Sequence, residues 1–238
     1  MTVNAGNEDY AQPTPMTMLQ PKRKADSMTK TKIPPRYQLK IELAGAKPPI
    51  RRRLLVRGDM TLDLLHAVIQ LAMGWTNSHL HQFFIGKERY SDPRVGDGMD
   101  FDETHDHDET KTVLAEAVPQ AKTQFGYEYD FGDSWEHVIT VEKIHELGAD
   151  VQDFAQCLDG ARACPPDDCG GVWGYADLLK VIKNPKHKEH ESMMEWLGEE
   201  FDPAAFDLEK TNTYLRKLKW PHTTESQLRG VLMARDGC

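Results

Sequence analysis

YQLKIELAGAKPPIRRRLLVRGDMTLDLLHAVIQLAMGW, residues 37–75, contains two strand patterns followed by a helix pattern. Residues 37–43 and 50–56 are rich in strand-forming residues, and the intervening AGAKPP predicts a hairpin. Residues 61–74 have apolar side chains at helical spacing, with Thr61 as the N-cap and Gly74 at the end of the helix. The apolar face of this predicted helix consists of Leu62, Leu65, Val68, Ile69 and Ala72.

Further elements follow on the C-terminal side of this segment. HLHQFFIG and ERYS predict two short strands, and FGYEYDF and WEHVITVEKI predict a hairpin through Gly132. YADLLKVIKN, HKEHESMMEWLG and DPAAFDLEKTNTYLRKLK predict three helices, the last with Asp202 as its cap and Pro203 in its first turn. The sequence therefore predicts an α+β fold: a β-grasp-like mixed sheet with a packed helix, extended by a further β-hairpin and a C-terminal helical segment.

Segments without periodic apolar residues set the limits of the domain. We expect residues 1–35 to be a disordered N-terminal tail, 36–219 to be one α+β domain and 220–238 to be a weakly ordered tail. Inside the domain, residues 92–110 contain eight acidic residues and one arginine and predict an exposed loop. Weak cation binding by His105 and His107 is the alternative interpretation of this loop.

Composition restricts the compartment and the partners. The net charge of the 238-residue chain is −9 at pH 7, so contact with nucleic acid would require a local basic patch. No stretch approaches the roughly 20 apolar residues that cross a bilayer, and the N-terminus lacks the pattern of a signal peptide. We therefore expect a cytoplasmic protein without a membrane partner. In that compartment the four cysteines are expected as thiols or metal ligands: Cys157, Cys164, Cys169 and Cys238.

Five segments together resemble a known family: PPIRRRLLV, LHAVIQLAMGWTNSHLHQF, YEYDFGDSWEHVITVE, CLDGARACPPDDCGGVWGYADLL and FDPAAFD. In order and spacing they are similar to the plasmid pRiA4b ORF-3-like proteins of bacteria and archaea, from about Tyr37 to Leu218. Arg51 and Arg57 depart from the family, which usually has Trp and Pro there. The resemblance implies one α+β domain and an association with plasmids and mobile elements, but no settled activity. A resolvase-like label would require an activated serine among arginines, and no serine in 37–218 has that setting.

Histidines and an aspartate on two predicted strands form a candidate catalytic site. Because side chains alternate along a strand, His79 and His81 share one face, as do Asp133 and His137. Nitrogen and oxygen ligands brought together in this way suit metal binding and general acid–base chemistry. His81, Asp133 and His137 are therefore the candidate residues of a metal-dependent hydrolase or nuclease. The alternative is that His81 and His137 are half-buried, hydrogen-bonded residues packed beside Trp75 and Trp135.

CLDGARACPPDDCGGVWGY, residues 157–175, has three interpretations. Its prolines, aspartates and glycines suit a rigid connection that leaves the sheet and enters a helix. A zinc site is the second, although the cysteine gaps of six and four residues differ from zinc knuckles and a fourth ligand such as His187 or His190 would be needed. A ligand-binding or catalytic loop is the third. The structural residues would be Cys157, Pro165, Pro166, Asp168, Gly170, Gly171 and Tyr175, and the zinc ligands Cys157, Cys164 and Cys169.

Arginines on the second strand are the candidate contacts for nucleic acid. Arg51, Arg53 and Arg57 fall on one face and could contact phosphate, or they could form a salt-bridged surface. The leading hypothesis is a non-catalytic cytoplasmic binding or accessory protein, associated with mobile elements, whose partner is a protein or nucleic acid. A metal-dependent enzyme and a zinc-stabilised interaction module are the alternatives, and zinc is the one possible cofactor.

Overall fold

A mixed β-sheet is the centre of this computed structural model, which describes residues 1, 34–95, 106–146, 154–198, 201–218, 227–228 and 230–231. The described strands are β1 (Arg36–Leu43), β2 (Arg51–Arg57), β3 (His81–Ile85), β4 (Glu88–Ser91), β5 (Asp106–Asp108), β6 (Gln124–Tyr129), β7 (Trp135–His145) and β8 (Ala155–Ala161). Their order in the sheet is β5-β4-β3-β6-β7-β1-β2-β8. All neighbours are antiparallel except β4 and β5, which are parallel. All of these strands belong to the compact unit that begins at residue 33.

Five helices lie among the described residues. They are α1 (Leu62–Met73), α2 (Leu114–Ala117), α3 (Gly171–Lys183), α4 (His190–Leu197) and α5 (Leu208–Leu215). Every residue of α1 except Asp63 is buried, as expected for a helix that is apolar on most of its circumference. The helix belongs to the same core as the inward side chains of the strands, and α5 contacts both α1 and β8. Within the described residues, no helix is both long enough and apolar enough to cross a membrane.

Alternation along the strands places the core on one face of the sheet. In β1 the odd-numbered residues are buried, and in β2 the even-numbered ones are. Leu39 faces Leu54 across the pair, whereas Lys40 faces Arg53 on the opposite surface. The core face continues across β7 through Ile139 and Val141. A one-residue shift in register would move these apolar side chains to the other face, so the core fixes the strand pairing.

The α+β class, the mixed sheet and the packed helix are confirmed. The hairpin of β6 and β7 lies between the β3–β4 and β1–β2 hairpins instead of at an outer edge. Strands β5 and β8 occur where a loop and a connection were expected. The predicted tails fall mostly outside the described residues, as do His105 and Cys238.

Two details of the predicted helix starts are corrected. The last helix begins at Leu208, and Asp207 caps it by accepting a hydrogen bond from the Lys210 amide at 2.8 Å. Asp202 instead closes a turn by accepting from the Ala204 amide at 2.8 Å. Thr61 occupies the N-cap position of α1, but its hydroxyl donates to Asp63 instead of accepting from the helix backbone.

Candidate functional site

Three segments with distinctive sequence motifs meet at one end of α1, and we call this the three-loop junction. They are residues 74–80 after α1, the β6–β7 turn at 130–134, and the connection 162–170 from β8 to α3. The indole of Trp75 donates to the carbonyl of Pro165 at 3.1 Å, and the hydroxyl of Thr76 donates to Asp167 Oδ2 at 2.9 Å. The Gly170 amide donates to Asp133 Oδ2 at 3.0 Å. Each segment therefore holds another in place.

Close backbone approach explains the glycines at the start of α3. Gly171 has a φ of +65°, and a Cβ there would lie 2.3 Å from the carbonyl oxygen of Asp133. A Cβ on Gly174 would lie 2.0 Å from the carbonyl oxygen of Cys169. Only glycine allows these contacts without displacing the backbone.

One histidine and two aspartates converge at the junction, one from each segment. His79 Nε2 lies 3.4 Å from Asp168 Oδ1 and 3.7 Å from Asp130 Oδ2. Asp130 is buried, and its Oδ1 accepts hydrogen bonds from the Gly132 amide at 3.0 Å and the Asp133 amide at 3.4 Å. Within the described ranges, these are the only three His, Cys, Asp or Glu residues whose ligand atoms lie within 4.8 Å of one another.

The three predicted catalytic residues have separate environments. Asp133 precedes β7 and holds the Gly170 amide, as described above. His137 is buried, with the ring of Trp75 edge-on at 5.2 Å and that of Tyr127 at 5.3 Å. Burial lowers the pKa of His137 to about 4, so its imidazole is neutral at pH 7. The structure does not bring His81, Asp133 and His137 into a common ligand set.

His81 belongs to a buried polar network on the other side of Tyr127. Its ring stacks on that of His66 with centroids 3.4 Å apart, and its Nε2 lies 3.0 Å from both carboxyl oxygens of Glu109. Burial, with the nearby charge of Asp63, raises the pKa of Glu109 to about 8, and burial lowers the pKa of His81 to about 4. Both shifts favour the uncharged forms, so burial favours a hydrogen bond between a neutral carboxyl and a neutral imidazole over an ion pair.

Cys157 and Cys169 are free thiols. Cys157 is buried on β8, and its thiol donates to the carbonyl of Asp159 at 3.4 Å. Burial raises the pKa of Cys157 to about 11 and that of Cys169 to about 12, which keeps both thiols protonated at pH 7. The sulfur of Cys164 shares no close ligand group with them or with the predicted fourth ligands, His187 and His190.

Carboxylates accompany each of the predicted nucleic-acid arginines. Arg51 lies 2.5 Å from Asp159, and Arg53 reaches the same carboxylate at 3.1 Å. Arg53 also forms a two-pronged bond with Glu142 at 2.7 and 2.9 Å. Its guanidinium lowers the pKa of Glu142 to about 2. Arg57 makes a similar pair with Asp59 at 2.8 and 2.6 Å. These arginines form the salt-bridged surface that was the alternative interpretation.

A pocket of about 330 Å³ opens beside the junction. Its walls combine aromatic and apolar side chains with one carboxylate. The lining residues are Gly74, Trp75, Thr76, Cys164, Pro165, Pro166, Asp167, Trp196, Leu197 and Phe201. Tyr175, from the predicted structural loop, is buried nearby with its ring edge-on to Phe201 at 6.3 Å.

Comparison with known proteins gives the family. A model described as plasmid pRiA4b ORF-3-like protein matches residues 35–210. The chain belongs to the plasmid pRiA4b ORF-3-like family. A relative named uncharacterized protein y4hQ, from Sinorhizobium fredii (strain NBRC 101917 / NGR234), is 36% identical over 189 residues, which cover 77% of this chain and 93% of the relative. A crystal structure titled protein of unknown function MM3350, from Methanosarcina mazei Go1, has a TM-score of 0.64 and 33% identity, and the match covers 74% of this chain and 97% of that one.

The family motifs contain site residues that the residue-level predictions missed. Asp130 lies within YDFGDSW and Asp167 within CPPDDCGG, both of which carry the family resemblance. Asp168 was predicted only as a structural residue, and Trp196 and Phe201 lie outside these two motifs. The sequence did contain a signal for these residues: the motifs GWTNSHLHQF, YDFGDSW and CPPDDCGG occur far apart in a single domain. Such motifs are expected where loops from different elements meet.

Proposed function

We propose that this pRiA4b ORF-3-like protein is a non-catalytic binding protein that takes the cationic side chain of a protein partner, arginine or lysine, into the pocket beside the three-loop junction. The supporting observation is that Asp167 contributes the one carboxylate among the lining residues of the pocket, which also include three aromatic side chains. Asp167 Oδ2 accepts from Thr76, whereas Oδ1 is buried and has no hydrogen-bond partner within the described structure. Burial raises the pKa of Asp167, which reflects the free-energy cost of its charge there. A cation would compensate that charge.

Aromatic side chains of the same pocket suit the same ligand. The side chain of Trp196 is 47% exposed, and Phe201 lies beside it in the lining. Guanidinium and ammonium groups are attracted to the faces of aromatic rings, tryptophan most strongly. A pocket of this volume lies at the lower end of the range for specific small-ligand sites, which fits one side chain of a partner better than a large cofactor.

Charge favours a protein partner over nucleic acid. The chain carries a net charge of −9, and Arg51, Arg53 and Arg57 each form an ion pair with a carboxylate. A phosphate backbone would have to compete with those carboxylates against the overall repulsion. A basic protein segment would instead be attracted by the same field.

The setting is part of the same proposal. The family name refers to a plasmid reading frame, which supports a role in plasmids and other mobile elements. Cys157 and Cys169 are free thiols, which supports the cytoplasm as the compartment.

Titration with a matched pair of peptides tests the proposal. A capped Gly-Arg-Gly peptide should bind and change the tryptophan fluorescence, whereas the same peptide with neutral citrulline should bind about tenfold or more weakly, because it lacks the charge that Asp167 recognises. Asp167→Asn should reduce the affinity for the arginine peptide by a similar factor. Trp196→Ala should weaken it about five- to tenfold through loss of the aromatic contact.

Trp173 provides the control, because it is 86% exposed on α3 and does not line the pocket. Trp173→Ala should leave the affinity unchanged. Equal binding of the arginine and citrulline peptides, or binding that survives in both pocket variants, would contradict the proposal. Binding of a DNA duplex in place of the peptide at about 0.15 M salt would favour the nucleic-acid alternative.

A further inference from the structure

His79, Asp130 and Asp168 come from the three different segments of the junction and direct their polar atoms to one point. We propose that they bind a divalent transition-metal ion. This inference rests on different atoms from those of the cation pocket and does not depend on the pocket binding its ligand. It also differs from the predicted His81, Asp133 and His137 set, none of which contributes a ligand.

The carboxylate of Asp130 has one oxygen available for a metal. Its side chain is only 9% exposed, so it is held firmly in position. Oδ1 is used by the amides of Gly132 and Asp133, whereas Oδ2 accepts no hydrogen bond from the described residues and faces His79. Backbone bonds to one oxygen of a carboxylate orient the other oxygen, as is common for residues that bind metals.

The imidazole of His79 is arranged to complete the set. Its Nε2 is a buried atom without a hydrogen-bond partner within the described ranges, and it lies between the two carboxylates. The ring is held edge-on against Tyr129, with centroids 5.8 Å apart. A buried nitrogen without a partner is unfavourable, and coordination to a metal would satisfy it.

Distances between the ligand atoms suit a common metal ion. Atoms bound at about 2.1 Å from one metal lie about 3.0–3.5 Å apart at octahedral to tetrahedral angles. The separations from His79 Nε2 are 3.4 Å to Asp168 and 3.7 Å to Asp130. The His79 side chain is 26% exposed, so its imidazole can approach Asp130 by the few tenths of an ångström required, and the Asp168 side chain, 73% exposed, can follow it. Three protein ligands leave the remaining positions for water.

The donor types select the class of metal. One imidazole nitrogen favours Zn²⁺ or Mn²⁺ over Mg²⁺ and Ca²⁺, which prefer oxygen ligands alone. Because Asp168 belongs to the connection 162–170 and Asp130 to the β6–β7 turn, an ion bound by both would also link these two segments. We therefore expect metal binding to raise the melting temperature of the protein.

Calorimetric titration of the full chain, after removal of metal by a chelator, tests the site with Zn²⁺ and with Mn²⁺. About one equivalent should bind, and His79→Gln and Asp168→Asn should each weaken binding by about tenfold or more, because each removes a direct ligand. Asp177→Asn is the matched control, since Asp177 is 74% exposed on α3, as Asp168 is on its loop, but lies outside the cluster. It should bind metal as the wild type does.

A variant in the acidic segment, residues 92–110, distinguishes metal binding at the junction from metal binding by His105 and His107. The double variant His105→Gln, His107→Gln should still bind about one equivalent of metal if the ion binds at the junction. Loss of binding in that variant, or wild-type affinity in both His79→Gln and Asp168→Asn, would overturn the proposal. So would the failure of the wild type to bind either metal.

Discussion

At the scale of single residues, the core is unusual in containing buried histidines. His137 is surrounded by Trp75 and Tyr127, and neither of its ring nitrogens has a hydrogen-bond partner among the described residues. The Nε2 of His81, in contrast, lies within hydrogen-bond distance of the Glu109 carboxyl, at 3.0 Å. Burial favours the neutral forms of His137, His81 and Glu109. It therefore lowers the pKa of the histidines and raises the pKa of the carboxyl group.

His137→Phe should change the pH dependence of stability. The pKa of His137 is about 4 in the folded protein and ordinarily 6.5, so the unfolded chain binds more protons between these values. Its contribution is fully present above pH 6.5 and is lost as the pH falls toward 4. The free energy of unfolding of the variant should therefore rise relative to wild type by about 2 kcal/mol between pH 8 and pH 5. Urea denaturation at both pH values measures this.

The pH dependence must be compared between variants, because Glu109 makes the protein less stable as the pH rises, whereas His137 makes it more stable. Its raised pKa gives stability that is present below pH 4.5 and is lost as the pH rises through about 8. That contribution is common to wild type and His137→Phe and cancels in the difference. His107→Phe, which replaces an imidazole that is 45% exposed, is the control for the exchange of histidine for phenylalanine. A difference that stays constant from pH 8 to pH 5 would show that His137 is not the source.

At the scale of elements, Asn212 on α5 covers the edge of the sheet. Strand β8 is the outermost strand on its side, so its outer amides and carbonyls need partners. The Cys157 amide donates to Asn212 Oδ1 at 2.8 Å, and Asn212 Nδ2 donates to the Cys157 carbonyl at 2.9 Å. One side chain thus makes the pair of bonds that a further strand would make.

Asn212→Ala should reduce the free energy of unfolding by about 2–3 kcal/mol, because it leaves a buried amide and a buried carbonyl without partners. Thr213→Ala, at the next and exposed position, provides the control and should cost less than about 0.5 kcal/mol. Equilibrium unfolding in urea measures both. Similar losses in the two variants would mean that solvent satisfies the edge of β8 equally well.

The elements differ in how far their sequences determine them. The β1–β2 hairpin and α1 follow their apolar periodicity, so they are predicted to within one or two residues. Strand β8 has Gly160 and Asp159 in it and no clear alternation; it forms because β2 lies beside it. The late start of α5 also has a tertiary cause. Phe206 packs its ring on Gly160 and under the guanidinium of Arg52, at 4.2 Å, so the chain must reach β8 before the helix begins.

At the scale of the whole molecule, three of the five segments that carry the family resemblance meet at one junction. Alternation predicted a common face for His79 and His81, but it applies only inside a strand, and His79 precedes β3. For the same reason Asp133, which precedes β7, does not share the environment of His137. The sequence contains the motifs of all three segments, whereas the proximity of Asp130 and Asp168 to His79 depends on the order of strands in the sheet.

Gly171→Ala tests whether this junction is needed by the whole molecule. The new Cβ would meet the Asp133 carbonyl oxygen at 2.3 Å in addition to the strain of a positive φ. Gly198→Ala is the matched control, because its φ of +73° is similar but nothing lies within 4 Å of the added Cβ. Gly171→Ala should destabilise the protein by about 1–3 kcal/mol more than Gly198→Ala, as measured by urea unfolding.

The same comparison distinguishes the glycines from the thiols of the 157–175 stretch. Cys157→Ser keeps a donor for the Asp159 carbonyl, so it should cost less than Gly171→Ala. Because Gly171 lies against the Asp133 carbonyl of the β6–β7 turn, Gly171→Ala should also weaken the binding of both the arginine peptide and the metal ion. Gly198→Ala should weaken the binding of neither. Equal stability of the two glycine variants would show that the connection can move away from Asp133 at little cost, and the motifs would then need another explanation than a shared rigid junction.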